Sequence, residues 1–320
     1  MGIALLIGPF FDSRRYFDDL CSVSSAALPI ARRVPDSPVE AHLLTRYGTA
    51  LQGMRRFEEA IDAHTQAAAR YRQLDNAGSE AAALNNVGLD LLQVRRLEEA
   101  VHTFYRAGSI FQQLHDRHSE GKVLTSLGLA FERLGSFEKA VAALRLAVTI
   151  SREFRDRPTE SKALGNLGLA LQGLYQFEQA IEVHQQDVSI CQQLQDQHSE
   201  GIALDCLGKA LRGAGRFEEA IDAHTQAATI FRELHDRHRE GIAVGGLGQD
   251  LQKAQRFEEA INAHTQAVAI FQETHDRHSE STALTWLAAA LHEVGRFQES
   301  RDAHSRAIQG LGEQAGEDAR

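Results

Sequence analysis

The stretch Arg216–Asp250 reads RFEEAIDAHTQAATIFRELHDRHREGIAVGGLGQD, and it returns almost verbatim 40 residues later from Arg256. Counting from Phe217 by the same interval lands on Phe17, Phe57, Leu97, Phe137, Phe177, Phe257 and Phe297, so eight copies fill the chain. Self-similarity at a fixed period of this size marks an array in which each unit buries its apolar face only by stacking on the next. The stretch is therefore a structural module, and the functional question becomes what the array displays.

Each copy carries two amphipathic helices. In one unit Leu84, Val87, Gly88 and Leu91 share a face of a first helix, A. Leu97, Ala100, Val101, Phe104, Ala107, Ile110, Phe111 and Leu114 form a stripe on a second helix, B. Spacings of three and four are those of a buried helical face. Ala, Leu, Glu, Gln and Arg dominate and only five residues are Pro, so the class is all-α. Ser79, Ser119, Thr159, Ser199 and Ser279 precede a Glu and read as N-caps of helix A. Gly135, Gly215 and Gly295 stand between A and B, where a positive φ is wanted. A further glycine recurs inside helix A at Gly48, Gly88, Gly128, Gly168, Gly208 and Gly248, with Gly8 in register. Such a glycine costs about 1 kcal/mol in helix propensity. Its recurrence predicts close approach of another backbone, with Ala60, Ala100, Ala140, Ala180, Ala220 and Ala260 as the small partner on helix B.

Composition removes several function classes. The chain has 44 acidic against 34 basic residues, a net charge of −10, opposite to the footprint of a nucleic-acid binder. Three cysteines, Cys21, Cys191 and Cys206, make no disulfide framework and fit a reducing cytoplasm. The opening MGIALLIGPFF is too short to span a bilayer and lacks a basic leader, so no membrane role is expected. It reads as a repeat helix with its beginning removed, from which we expect a fragment or a chain that once extended upstream.

Leu-Gly-x-x-Leu in helix A, followed by the recurring Ala positions of helix B, resembles the tetratricopeptide repeat (TPR). The 40-residue length resembles the longer subclass found in kinesin light chains, in Gα-modulating scaffolds and in C-terminal arrays of bacterial NB-ARC-type signal-transduction ATPases. The resemblance covers the entire chain. It implies a right-handed α-solenoid of stacked helix-turn-helix hairpins with a concave groove lined by the A helices, and a bacterial signalling role. The expected boundaries are a degenerate N-terminal repeat at 1–38, interrupted by Pro9 and Pro29, then seven repeats over 39–309 (39–78, 79–118, 119–158, 159–198, 199–238, 239–278, 279–309). Residues 310–320, GLGEQAGEDAR, lack periodicity and read as a disordered tail.

No phosphate-loop motif is present. The Gly245, Gly246, Gly248 cluster lies inside helix A, which removes its phosphate-binding logic. His64, His184, His224, His264 and His304 share one helix B position with Phe104 and Leu144, so they read as packing residues. The pairs His115/His118, His235/His238 and His275/His278 read as loop residues, and no third ligand for zinc stands out. Cys191 and Cys206 read as buried hydrophobes. We expect no cofactor, no metal and no catalysis.

What varies between copies is the expected groove: the residues two and three before the helix A glycine, one after it and four after it. The candidate partner-binding residues are Arg46, Asn85, Asn86, Lys122, Ser126, Arg133, Lys162, Asn166, Asp205, Lys209, Arg212, Gln249, Lys253 and Trp286. Asn86 and Asn166 precede Val-Gly and Leu-Gly, where an Asn in the longer TPR proteins contacts a bound peptide. The cations favour an acidic protein or peptide partner, and Trp286 is an anchor or a plug of the last repeat. The leading expectation is a non-catalytic interaction scaffold or sensor arm. The alternatives are self-association into a homo-oligomer through the N-terminal repeat face and, last, a metal-dependent enzyme using the loop histidines.

Overall fold

The three-and-four spacing of apolar residues becomes helix throughout. The computed structural model describes residues 17–33 and 38–318, and every regular element among them is a helix. The A helices are α2 (Val39–Gly53), α4 (Ala77–Gln93), α6 (Arg117–Arg133), α8 (Arg157–Gly173), α10 (Gln197–Gly213), α12 (Arg237–Lys253) and α14 (Arg277–Glu293). The B helices are α1 (Phe17–Ala31), α3 (Phe57–Gln73), α5 (Leu97–Gln113), α7 (Phe137–Glu153), α9 (Phe177–Leu194), α11 (Phe217–Glu233), α13 (Phe257–Glu273) and α15 (Phe297–Asp318). Gly8, Pro9 and the apolar opening lie outside the described residues. Pro29 falls in the last turn of α1, where it removes the N–H that would reach the carbonyl four residues back. The stretch 310–318 is helical and continues α15, contrary to the tail expected there.

Contacts divide the chain into two compact units, Met1–Asn166 and Leu167–Arg320, the division falling within α8. In each unit consecutive helices pack side by side. Successive A helices also touch one another, α4 with α6 in the first unit, α10 with α12 and α12 with α14 in the second, whereas successive B helices stand further apart. The A helices thus form the tighter layer of each unit and the B helices the looser one.

The helix ends follow from local chemistry. At the A-to-B turn after α4, Arg95 takes φ 61°, Arg96 N–H donates to Leu91 O at 3.0 Å and Arg95 N–H to Leu92 O at 3.3 Å. This is the Schellman closure, which favours glycine at the left-handed position. Gly135, Gly215 and Gly295 hold that position in other copies, as expected, with φ between 70° and 79°. The N-caps differ from expectation. The cap is Asn76, Asp116, Asp196, Asp236 or Asp276, whose side chain accepts from the backbone N–H three residues on, at Ser79, Ser119, Ser199, Arg239 and Ser279. Ser79 and its counterparts are donors at the third helical position, and the A helices from α4 onward begin two residues before the expected boundaries, whereas α2 begins at its boundary, Val39.

The recurring glycine does meet a close neighbour, but a side chain rather than a backbone. A Cβ on Gly48, Gly88, Gly128, Gly168, Gly208 or Gly248 would stand 2.3 to 2.5 Å from His64, Phe104, Leu144, His184, His224 or His264 respectively. Each of these six side chains, sixteen residues on in helix B, is fully buried. The last hairpin departs from this geometry: Ala288 replaces the glycine and is buried, and His304 lies exposed.

Two stability predictions follow from these positions. Gly128→Ala places a methyl 2.3 Å from Leu144 Cγ, so the overpacking cost of about 1–3 kcal/mol outweighs the helix-propensity gain of about 1 kcal/mol, and chemical denaturation should show a net loss. Arg95→Gly relieves a left-handed arginine and should hold or raise stability, by up to about 1 kcal/mol.

Candidate partner-binding face

The seat under each A-helix glycine governs what stands beside it. Two of the four buried histidines are held by aspartate: His64 Nδ1 donates to Asp90 Oδ2 at 2.6 Å and His224 Nδ1 to Asp250 Oδ2 at 2.5 Å. Both aspartates come from the next A helix, two residues after its glycine, where other copies carry Ala50, Ala130, Ala170, Ala210 and Ala290. A fully buried carboxylate must be paired. Each is also reached by the residue four after the preceding glycine, Gln52 on Asp90 at 2.8 Å and Arg212 on Asp250 at 2.9 Å. The other two histidines use the nitrogen on the opposite side of the ring, His184 Nε2 with Gln172 and His264 Nε2 with Gln252, both at 2.9 Å. Where Gln or Arg stands four after the glycine, it is therefore drawn into the seat network.

The expected groove residues divide by what they touch. Asn85, Asn86 and Ser126 in the first unit, with Asn166 at its limit, are half-buried on the A helices, and Arg46 is half-buried as well. Lys122 and Lys162 are exposed near the starts of α6 and α8, Lys122 within 3.8 Å of Asp156. Arg133 donates to Leu92 O at 3.0 Å, covering a carbonyl at the end of the preceding A helix. In the second unit Asp205 is buried and takes Lys209 Nζ at 2.6 Å. Arg212 adds a bond to Gly246 O at 3.1 Å. Gln249 is half-buried and Lys253 exposed. Trp286 is 38% exposed and lies over buried His264, ring centroids 6.5 Å apart and 15° from parallel.

Thus the structure brings Asp205 and Lys209 together and joins Arg212 to Asp250, which the sequence reading did not single out. Asp90 and the two His–Asp pairs were missed with it. The available signal was an Asp in place of Ala 26 residues after a seat histidine.

Of the expected loop histidines, His115, His235 and His275 do lie in the turns between hairpins, whereas His118, His238 and His278 lie in the first turn of an A helix. His118, His198 and His238 sit in the first turn of α6, α10 and α12, and each faces the N-cap carboxylate of a later A helix, Asp156 at 2.7 Å, Asp236 at 3.4 Å and Asp276 at 3.3 Å. His115, His235 and His275 hold the left-handed turn position. Burial raises the Asp156 carboxyl, but bonds from His118 and Thr159 outweigh it and bring it down to about 2. Among the described residues no group of three or more His, Cys, Asp or Glu stands ready to hold a metal ion. Burial, with Asp205 nearby, pushes the Cys206 thiol up to about 11, away from a reactive thiolate. No helix among the described residues is long and apolar enough to cross a membrane.

The tetratricopeptide repeat family profile matches residues 79–153, 159–233 and 239–313. No curated protein sequence gives a significant match. Among solved structures, a signal transduction ATPase with numerous domains carrying a tetratricopeptide repeat sensor, from Pyrococcus horikoshii, superposes with a TM-score of 0.73 at 16% identity, covering 98% of this chain and 49% of that one. BtubC (BKLC) from P. vanneervenii gives 0.61 at 20% identity over 69% of this chain and 92% of that one. The Rap conjugation gene regulator of plasmid pLS20, in complex with the Phr* peptide, gives 0.59 at 16% identity over 86% and 74%. At these identities the likeness is one of fold.

The buried histidines set an acid limit. Burial pushes His184 and His264 down to about 4, from an ordinary value near 6.5. The unfolded chain therefore takes up these protons first. Their effect is absent above pH 6.5, and stability falls as pH drops from about 6.5 to 4, by roughly 3 kcal/mol for each histidine. In His184→Leu, which copies Leu144 in the same seat, thermal melts should decline less steeply over that interval. An unchanged slope would contradict the assignment.

Proposed function

We propose, for a chain that belongs to the tetratricopeptide repeat family, a non-catalytic interaction module that takes a protein or peptide segment along the A-helix layer. One contrast carries this reading: the seat and stripe residues repeat from copy to copy, while the pair two and three before the glycine, at least one member of which lies outside the buried core, differs in every copy, as Asn85-Asn86, Thr125-Ser126, Asp205-Cys206, Gly245-Gly246 and Thr285-Trp286. Packing fixes the first set and leaves the second for recognition. The peptide in the Rap regulator complex and the sensor role in the name of the Pyrococcus protein support a partner of this class.

The charge of that partner is less constrained than the sequence alone implies. Lys209 and Arg212 are already bound to Asp205 and Asp250, which withdraws two of the cations on which an acidic partner would depend. Amides and hydroxyls on the A helices offer hydrogen bonds instead. Self-association through residues 1–38 rests on a segment of which residues 1–16 and 34–37 lie outside the described residues.

Capture from a lysate of the native host, quantified by mass spectrometry, tests the reading. Combined Asn86→Ala, Ser126→Ala and Trp286→Ala should lower recovery of the principal partner by about tenfold or more, since a few central contacts dominate such interfaces. The melting temperature should stay close to that of the parent. Undiminished capture by this folded variant would overturn the A-face assignment.

A further inference from the structure

The A-helix layer of the second unit is recessed at one place. Gly245 and Gly246 stand in α12 where the neighbouring A helices carry Asp205-Cys206 and Thr285-Trp286. A Cβ on Gly245 would meet nothing within 4 Å, so the surface above it is open. Beneath Gly246 lies His224, whose Nε2 is 2.7 Å from the Cβ position that the glycine leaves vacant. The recess is thus one side chain deep, with an imidazole under its floor.

Two polar atoms there have no partner. His224 Nδ1 is bonded to Asp250, and its Nε2 is fully buried with no hydrogen-bond partner. Asp205 Oδ1, also unbonded and shielded, stands 3.7 Å from it, while Oδ2 holds Lys209. A shielded carboxylate oxygen without a donor leaves an unmet demand. Asp205 retains 12% of its side-chain exposure, and the terminal torsion of an aspartate is broad, so a modest rotation turns Oδ1 to the surface. On the next A helix Trp286, 38% exposed, is stacked over buried His264. Two cations beside the recess are already paired, Lys209 with Asp205 and Arg212 with Asp250. An anionic guest finds neither of them free. A neutral one with a flat apolar body and a hydrogen-bond donor at its tip fits it.

We propose that this recess receives a tyrosine side chain of the partner segment, its ring lying on Gly245 and Gly246 beside Trp286 and its hydroxyl donating to Asp205. The assignment rests on the A-face reading given above and specifies the chemistry of one of its contacts. Glycine allows the close approach that any side chain at 245 would prevent, and an aromatic pair adds to the area buried.

Trp286 is the sole tryptophan of the chain, so its fluorescence reports on binding beside α14, and the Gly245→Leu variant ties that signal to the recess. The probes are capped alanine pentapeptides with a central tyrosine, phenylalanine or glutamate, titrated into the full chain under excitation selective for tryptophan. The tyrosine peptide should give a saturable change, the phenylalanine peptide should bind about tenfold more weakly for want of the donor, and the glutamate peptide should give no change. Gly245→Leu fills open space and replaces a helix glycine, so it should melt no lower than the parent while losing at least tenfold in affinity for the tyrosine peptide. Equal binding of tyrosine and phenylalanine, an unaffected Gly245→Leu, or no response to any peptide would each overturn the proposal. Those results leave the A-face reading standing where Asn86, Ser126 and Trp286 still govern capture. If capture ignores those residues, that reading falls as well.

Discussion

The seating of one helix B side chain under each helix A glycine is the contact on which the rest of the structure depends. It brings the two helices of a hairpin together at a distance that any Cβ would prevent, and it repeats in six hairpins with His, Phe or Leu as the seated group. Its energetic logic is volume matching: a glycine disfavoured in a helix by about 1 kcal/mol is retained because the seated side chain is removed from water, worth roughly 1.5–3 kcal/mol. At Ala288 the match is lost and the partner His304 turns out to solvent.

From that seat the polar interior follows. A seated Phe104 or Leu144 asks nothing of its surroundings, whereas a seated histidine needs a partner at one ring nitrogen or both. The chain answers in two ways, with aspartate from the next A helix at His64 and His224 or with glutamine from the same hairpin at His184 and His264. Helices α11 and α13 are almost identical in sequence, yet only α11 is followed by Asp250. Buried polar pairs of this kind add little net stability, but mismatched stacking would leave a charge unpaired in the core, which penalises the wrong neighbour. The same pairs consume Arg212 and neighbour Lys209, so the interior chemistry reaches the face where a partner would lie.

Much of this was legible in the sequence, since a 40-residue period gives helix number, hairpin organisation and the buried stripe without three-dimensional information. What it could not supply was the identity of touching atoms. The glycine announces that space is needed but not that a side chain sixteen residues later fills it. Asp-x-x-Ser-Glu contains two capping residues three apart, and only the helix start decides that Asp116 caps and Ser119 donates. The pairing of His224 with Asp250 joins two hairpins across 26 residues, and its trace in the sequence is only an Asp that breaks a row of Ala at the same repeat position. Lys209 and Arg212 looked available because their partners were invisible in one dimension.

The central claim is that recognition belongs to the A-helix layer and that the B helices supply frame. Hydrogen–deuterium exchange of the full chain, alone and with its captured partner, tests it most directly. The account predicts slower exchange on binding in segments of α4, α6, α10, α12 and α14, with the B helices α3, α5, α11 and α13 unchanged. Protection confined to the B helices or to the turns, with the A helices exchanging as before, would contradict it.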